Sequence, residues 1–197
     1  MKAALTFNTL RRRLAQTLSR FGQDRGGVAA VEFAFIAPIM ILLFVGTIEL
    51  SAGISTDRKL SRVSSAIGDL VTQSQKLSAS DVQNIMDISS KIMFPYSEDV
   101  DITITGIEIA SGAAKSQWRC NITTGCAKLN GTNYDVPTKI KKDGSFLVSA
   151  VVSTTYTPSF GWAHFSKDKG IYFSRTPIDM RDEIFLRPRV GSTVELQ

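Results

Sequence analysis

The hydrophobic pattern divides the chain into three regimes. From Val28 to Ile48 apolar positions are nearly continuous, and no residue between Phe33 and Ile48 is charged. That uncharged run makes about 24 Å of helix at 1.5 Å per residue. Counting from Val28 brings the segment to the ~20 residues needed to cross a ~30 Å hydrocarbon core, but it then includes Glu32. Beyond Ile48 the pattern becomes amphipathic. Leu50, Ile54, Leu60, Val63, Ile67 and Leu70–Val71 recur at helical spacing, with Asp57, Arg58, Lys59, Arg62 and Asp69 on other faces. This predicts a helix reaching about Gln73, with Gly46, Gly53 and Gly68 as places for a bend. A second helix is predicted within "QKLSASDVQNIM", with Ser80 as N-cap and Gln83 three residues on. Val82, Ile85, Met86, Ser89, Ile92 and Met93 form its inner face, and Pro95 stops it.

In the third regime the period falls to two. Val100, Ile102 and Ile104 alternate with polar residues, as do Ile107 and Ile109 after Gly106, which predicts a strand bulged at the glycine. The stretch from Ser111 to Gly144 reads mainly as turns and loops. Short strands are expected near Trp118–Arg119 and Ala127–Leu129, with hairpin turns at Asn130–Gly131 and Asp143–Gly144. "SFLVSAVVSTTYTP" is the clearest strand: Phe146, Val148, Ala150, Val152 and Tyr156 share one face, while Leu147, Ser149, Val151, Ser153 and Thr155 share the other. "GIYFSRTP" predicts another strand, and "DEIFLRPRVGSTVEL" a last one ended by Pro188. Helices followed by an antiparallel β region argue an α+β class. The organisation is then a basic leader over 1–27, a transmembrane helix over 28–48, its amphipathic continuation over 49–75, and an α+β body over 76–197. The apolar stripe of the continuation needs a partner, and a sheet from the same chain is the economical one.

Charge sharpens this picture. The net +5 resides in residues 1–27, where Lys2, Arg11, Arg12, Arg13, Arg20 and Arg25 face Asp24 alone. The remainder is balanced, which argues against a nucleic-acid partner. A basic tail before an apolar run is expected to stay cytoplasmic, leaving the body outside. In an exported body, Cys120 and Cys126 are expected to close a disulfide. Their spacing does not suit a zinc hairpin, and His164 is the single histidine, so no metal is expected.

Catalytic signals are weak. There is no glycine-rich phosphate loop and no Gly-x-Ser-x-Gly elbow, so neither an enzyme nor a cofactor is expected. Asp179, Asp182 and Glu183 read as a solvated face rather than a cation site. The "NIT" at Asn121 matches a glycosylation acceptor that a bacterial cell would leave unused. Phe160, Trp162 and Phe165 in "TPSFGWAHF" form either a protein-contact patch or a small satellite core.

Glu32 and Pro38 carry the sharper question. A carboxylate in a membrane-length segment is costly and marks a functional site by default. Pro38 deprives one carbonyl of its helical partner, a defect that neighbouring helices can accommodate. One reading is a plain anchor with Glu32 near the headgroups. A second is a secretory signal, but "TIELSAGIS" is a poor cleavage site because Leu50 is not small and Glu49 intrudes. A third is a cut at Gly27–Val28. Gly26 and Gly27 suit an extended scissile segment, and Glu32 would neutralise the new ammonium group.

The stretch "RFGQDRGGVAAVEFAFIAPIMILLFVGTIEL" resembles the N-terminal segment of TadE/TadG-like proteins, minor pseudopilins of tight-adherence (Tad, or Flp) pili. The glycine followed five residues later by glutamate also resembles the prepilin peptidase site of type IV pilins. The resemblance implies a pilin-like fold, a long N-terminal helix on a small antiparallel sheet. It implies that Gly27 ends the leader and Val28 begins the mature chain. Glu32 would support assembly beside a neighbouring subunit, and Pro38 would loosen the helix as a subunit leaves the membrane. Phe33 departs from the tyrosine that several processed members carry, and the leader is long. The chain is too short for the large extra domain of TadG-like proteins. The implied partners are prepilin peptidase, other pilin or pseudopilin subunits, an inner-membrane assembly platform and membrane lipids. The implied location is the bacterial inner membrane, single-pass, with the body periplasmic. Two other classes stay open: a single-pass anchor with a ligand-sensing or adhesion domain, and a secreted enzyme.

Overall fold

The computed structural model describes residues 26–93 and 99–197, without the side chains of residues 162–165 and 173. Residues 1–25 of the leader expected over 1–27, and the expected stop at Pro95, lie outside the described residues. The chain divides into two compact units, Met1–Thr47 and Ile48–Gln197. The first unit contributes the N-terminal part of α1 (Gly26–Thr72), a 47-residue helix with Pro38 inside it. It is the one described helix long and apolar enough to cross a membrane.

The second unit is α+β. Its elements are the rest of α1, β1 (Lys76–Leu77), α2 (Ala79–Ile92), β2 (Val100–Ala110), β3 (Ala113–Asn121), β4 (Gly125–Asn133), β5 (Ser145–Tyr156), β6 (Trp162–Ser166), β7 (Gly170–Ser174), β8 (Ile178–Leu186) and β9 (Glu195–Leu196). Five strands form an antiparallel sheet in the order β4-β3-β2-β5-β8. β6 and β7 make a separate hairpin, and β1 pairs with β9 in parallel.

The buried stripe of α1 within this unit is Glu49, Thr56, Leu60, Val63, Ser64, Ile67, Gly68, Val71 and Thr72. These positions follow the helical repeat and lie on one face. Leu60, Val63, Ile67 and Val71 pack with Ile102, Ile104, Val148, Ala150 and Val152 of the sheet and with Val82 and Met86 of α2. Each such side chain contributes roughly 1.5–3 kcal/mol by leaving water. The sheet partner is as expected, but the stripe is rotated: Leu50, Ile54 and Leu70 are exposed. Small and polar residues enter the buried face because the sheet approaches closely. At Gly68 an added Cβ would collide with Leu186 Cδ1, and at Gly53 it would lie 3.9 Å from the Tyr156 ring. These two glycines admit neighbours and do not interrupt α1.

The cap of α2 is Ser78, not Ser80. The Ser78 hydroxyl accepts from Asp81 N at 3.2 Å, and the Asp81 carboxylate accepts from Ser78 N at 3.1 Å, closing a capping box. The Asp81 carboxylate also accepts from the Ser78 hydroxyl at 2.6 Å, and that bond, followed by the one from Ser78 N, holds the Asp81 carboxyl below its ordinary pKa. Gln83 instead donates to Ile122 O at 2.8 Å. Val82, Met86, Ser89 and Met93 are buried as expected, whereas Ile92 is exposed.

The largest departure is the stretch expected to be loop. It forms the nine-residue strands β3 and β4. The β2–β3 turn is Ser111–Gly112, with φ of 53° and 74°, the left-handed geometry of a tight hairpin. Asn130–Gly131 lies within β4, and Asp143–Gly144 precedes β5, so neither joins paired strands. The Asp143 carboxylate instead accepts from Gly112 N at 2.7 Å. The expected bulge is present, as the β2–β3 register shifts between Gly106 and Ile107. Both faces of β5 are covered. Leu147 packs with Ile107, Ile109 and Val136 in a second, smaller core. After Pro188 the chain continues to β9, where Glu195 N and Gln197 N donate to Gln75 O and Leu77 O.

Candidate functional site

The candidate residues of the N-terminal segment lie along α1. Gly27 and Val28, the expected processing site, fall in its first turn and are helical here rather than extended. The first N–H groups of a helix lack intrahelical partners, which makes this turn the easiest to unwind. Val28 and Glu32 are four residues apart and share a face. Val28, Glu32, Phe33 and Pro38 are all exposed. Among the described residues neither ion pair involves Glu32. Pro38 leaves the Ala34 carbonyl without its usual donor, yet α1 runs through it.

In the body, Cys120 and Cys126 are directly paired across β3 and β4 and joined by a disulfide. Cys120 is fully buried in the main core. The connecting turn explains the "NIT" motif. Asn121 Oδ1 accepts from Thr123 N and Thr124 N, while its Nδ2 donates to Asp101 at 2.7 Å and Thr103 at 2.9 Å.

The three acids of "PIDMRDEI" do not converge. The Asp182 carboxylate accepts from Ser64 of α1, and Asp179 accepts from Thr155 at 2.9 Å. Glu183, on the opposite face from Asp182, accepts from Tyr134 and Ser149, each at 2.9 Å. Burial raises the Tyr134 pKa; the Ser149 hydrogen bond opposes that rise and Glu183 reinforces it. Two open polar grooves flank this region. One, of about 570 Å³, is lined by residues including Asp99, Asp101, Thr155, Asp179 and Arg181. The other, of about 480 Å³, is lined by residues including Arg119, Tyr134, Asp135 and Glu183.

Sequence reasoning missed Glu49. It sits one residue beyond the uncharged run and is only 3% exposed. Its carboxylate accepts from the Tyr156 hydroxyl at 2.9 Å and from Phe160 N at 2.6 Å. Burial, then the Glu49 hydrogen bond and charge, push the Tyr156 pKa up to about 12. The available signal was a lone carboxylate on the helical stripe that continues through Gly53, Thr56 and Leu60. Phe160 is exposed, so it does not fold under as a satellite core. The segment carrying Trp162 and Phe165 is strand β6 rather than loop, and those two side chains lie outside the described ones.

Residues 27–68 match the family model described as TadE-like protein, the region whose motif suggested that family. No curated protein and no solved structure matches the chain.

Proposed function

We propose that this chain, carrying a TadE-like segment over residues 27–68, is a minor pseudopilin of a tight-adherence pilus. The family match over that segment is the observation that carries this reading. In it, residues 1–27 are a cytoplasmic leader, residues 28–48 lie in the inner membrane, and the body is periplasmic. Prepilin peptidase cuts between Gly27 and Val28 after the first helical turn opens. The released ammonium group of Val28 then lies in a medium of low dielectric, where a carboxylate partner offsets its desolvation. Glu32 of a neighbouring subunit supplies that partner, in keeping with its exposure and with its absence from both described ion pairs. The remaining partners are other pilin or pseudopilin subunits and the inner-membrane assembly platform. The chain acts as a protease substrate and an assembly component, with no chemistry of its own.

The test is the intact mass and N-terminal residue of membrane-extracted protein, with and without co-expressed prepilin peptidase. Peptidase-dependent loss of residues 1–27 is the expected result. A full-length chain in both samples would remove the proposed role of Val28. A second reading, an uncut anchor with a ligand-sensing body, draws on the two polar grooves beside β8. It expects an intact leader together with a small polar ligand that protects Arg181 and Asp101 from chemical modification.

A further inference from the structure

The β6–β7 hairpin has no strand partner outside itself in the described sheet topology. A two-stranded hairpin is marginal in water unless something packs on it. Its neck is tight: Gly161 has φ of 81°, and an added Cβ there would lie 2.7 Å from Ser174 O. Just before the neck, Phe160 N is held by the Glu49 carboxylate, and Tyr156 ties the end of β5 to the same group. Phe160 is nevertheless 57% exposed, and Ile171 in β7 is 66% exposed. The turn between the strands carries Lys167 and Lys169 with Asp168 between them, all exposed and net positive, with Lys169 Nζ 5.8 Å from the Tyr172 ring centroid.

Covalent connection sets the level of this feature. Glu49 directly follows Ile48, the last residue of the uncharged run, and a helix rises 1.5 Å per residue. If residues 28–48 span the bilayer, Glu49 lies where the chain leaves the hydrocarbon. Phe160 is then hydrogen-bonded at headgroup level, where aromatic residues concentrate. Exposed apolar side chains beside lysines match a surface that is apolar beneath an anionic layer.

We propose that the segment from Phe160 to Ser174 is an interfacial membrane anchor that docks on anionic lipid. Phe160 and Ile171 enter the headgroup–acyl boundary, and Lys167 and Lys169 meet lipid phosphates. The buried Glu49–Tyr156 pair fixes the root of the hairpin to the helix at its point of exit. The inference rests on the membrane reading of residues 28–48 and needs no assumption about leader cleavage.

The test uses the full chain in vesicles of phosphatidylcholine with phosphatidylglycerol. A photoreactive benzoylphenylalanine is placed singly at Phe160, Ile171, Leu42 or Ser111, and lipid adducts are measured by mass spectrometry. Adducts are expected at Phe160, Ile171 and Leu42 and not at the Ser111 turn. Neutralising Lys167 or Lys169 to glutamine should lower the docked-to-undocked ratio at Ile171 roughly five-fold per lysine. Adducts at Leu42 without any at Phe160 or Ile171 would overturn the proposal while sparing the membrane reading. Absence at Leu42 too would overturn both. In native membranes, crosslinks from Ile171 to a protein in place of lipid would assign the hairpin to a subunit contact and end the lipid proposal.

Discussion

Tyr156→Phe tests whether the Glu49 contact is the energetic root that the geometry suggests. The substitution removes one hydroxyl from a 5% exposed side chain and leaves the ring beside Gly53. At pH 8 Glu49 would retain the bond from Phe160 N but lose the one from Tyr156. Loss of such a hydrogen bond costs about 1–3 kcal/mol. The pH dependence is more diagnostic. The Tyr156 pKa is about 12 in the folded protein against an ordinary 10.0, so the native state holds the proton more tightly. The resulting stabilisation is complete below about pH 10 and is lost as the pH climbs toward about 12. A gap of about two units corresponds to roughly 3 kcal/mol, of which roughly half is gone by pH 11. Urea unfolding of the detergent-solubilised chain at pH 8 and pH 11, followed by far-ultraviolet circular dichroism, measures both quantities. Tyr134, whose pKa is also raised, contributes in both proteins and cancels in the difference. Wild type should lose roughly 1 kcal/mol more than Tyr156→Phe between the two pH values. Parallel pH profiles would refute the reasoning.

Gly106→Ala should destabilise the body by about 1–3 kcal/mol through overpacking, read as a lower urea midpoint. The added methyl meets the Trp118 indole, whose Nε1 donates to Val194 O at 2.8 Å, and lies 2.9 Å from Phe146 Cζ. Removing the disulfide with Cys120→Ala and Cys126→Ala together should cost about 2 kcal/mol, because the cross-link closes only a short loop. Dithiothreitol should then leave the variant's midpoint unchanged while lowering that of wild type. Ser78→Ala should cost about 1 kcal/mol by uncapping α2, whereas Ser80→Ala should cost much less, a contrast measurable in the same unfolding series.

Much of the architecture was readable from local pattern. The uncharged run, the period-two alternation around Ile102 and Ile104, and the helical spacing of Leu60, Val63 and Ile67 each depend on one element meeting one apolar environment. That is enough to place a long helix, a sheet and the pairing of Cys120 with Cys126. The TadE-like segment was legible for the same reason, since its glycine, glutamate and apolar run are contiguous in the chain. Other features depended on partners distant in sequence. β3 and β4 carry Ser116, Asn121, Asn130 and Gly131, residues that read as turns until β2 and a disulfide hold them in a sheet. Gly53 and Gly68 looked like places for α1 to bend, but Tyr156 and Leu186 approach them, and their roles belong to that packing. Ser78 displaced Ser80 as the cap because the chain enters α2 from the short β1–β9 pairing. Glu49 lies on the same helical stripe as Gly53, Thr56 and Leu60, but a carboxylate beside an apolar run reads first as a boundary marker. Only the fold brings Tyr156 and Phe160, more than 100 positions away, to satisfy it, and a buried charge is stable only where such donors converge.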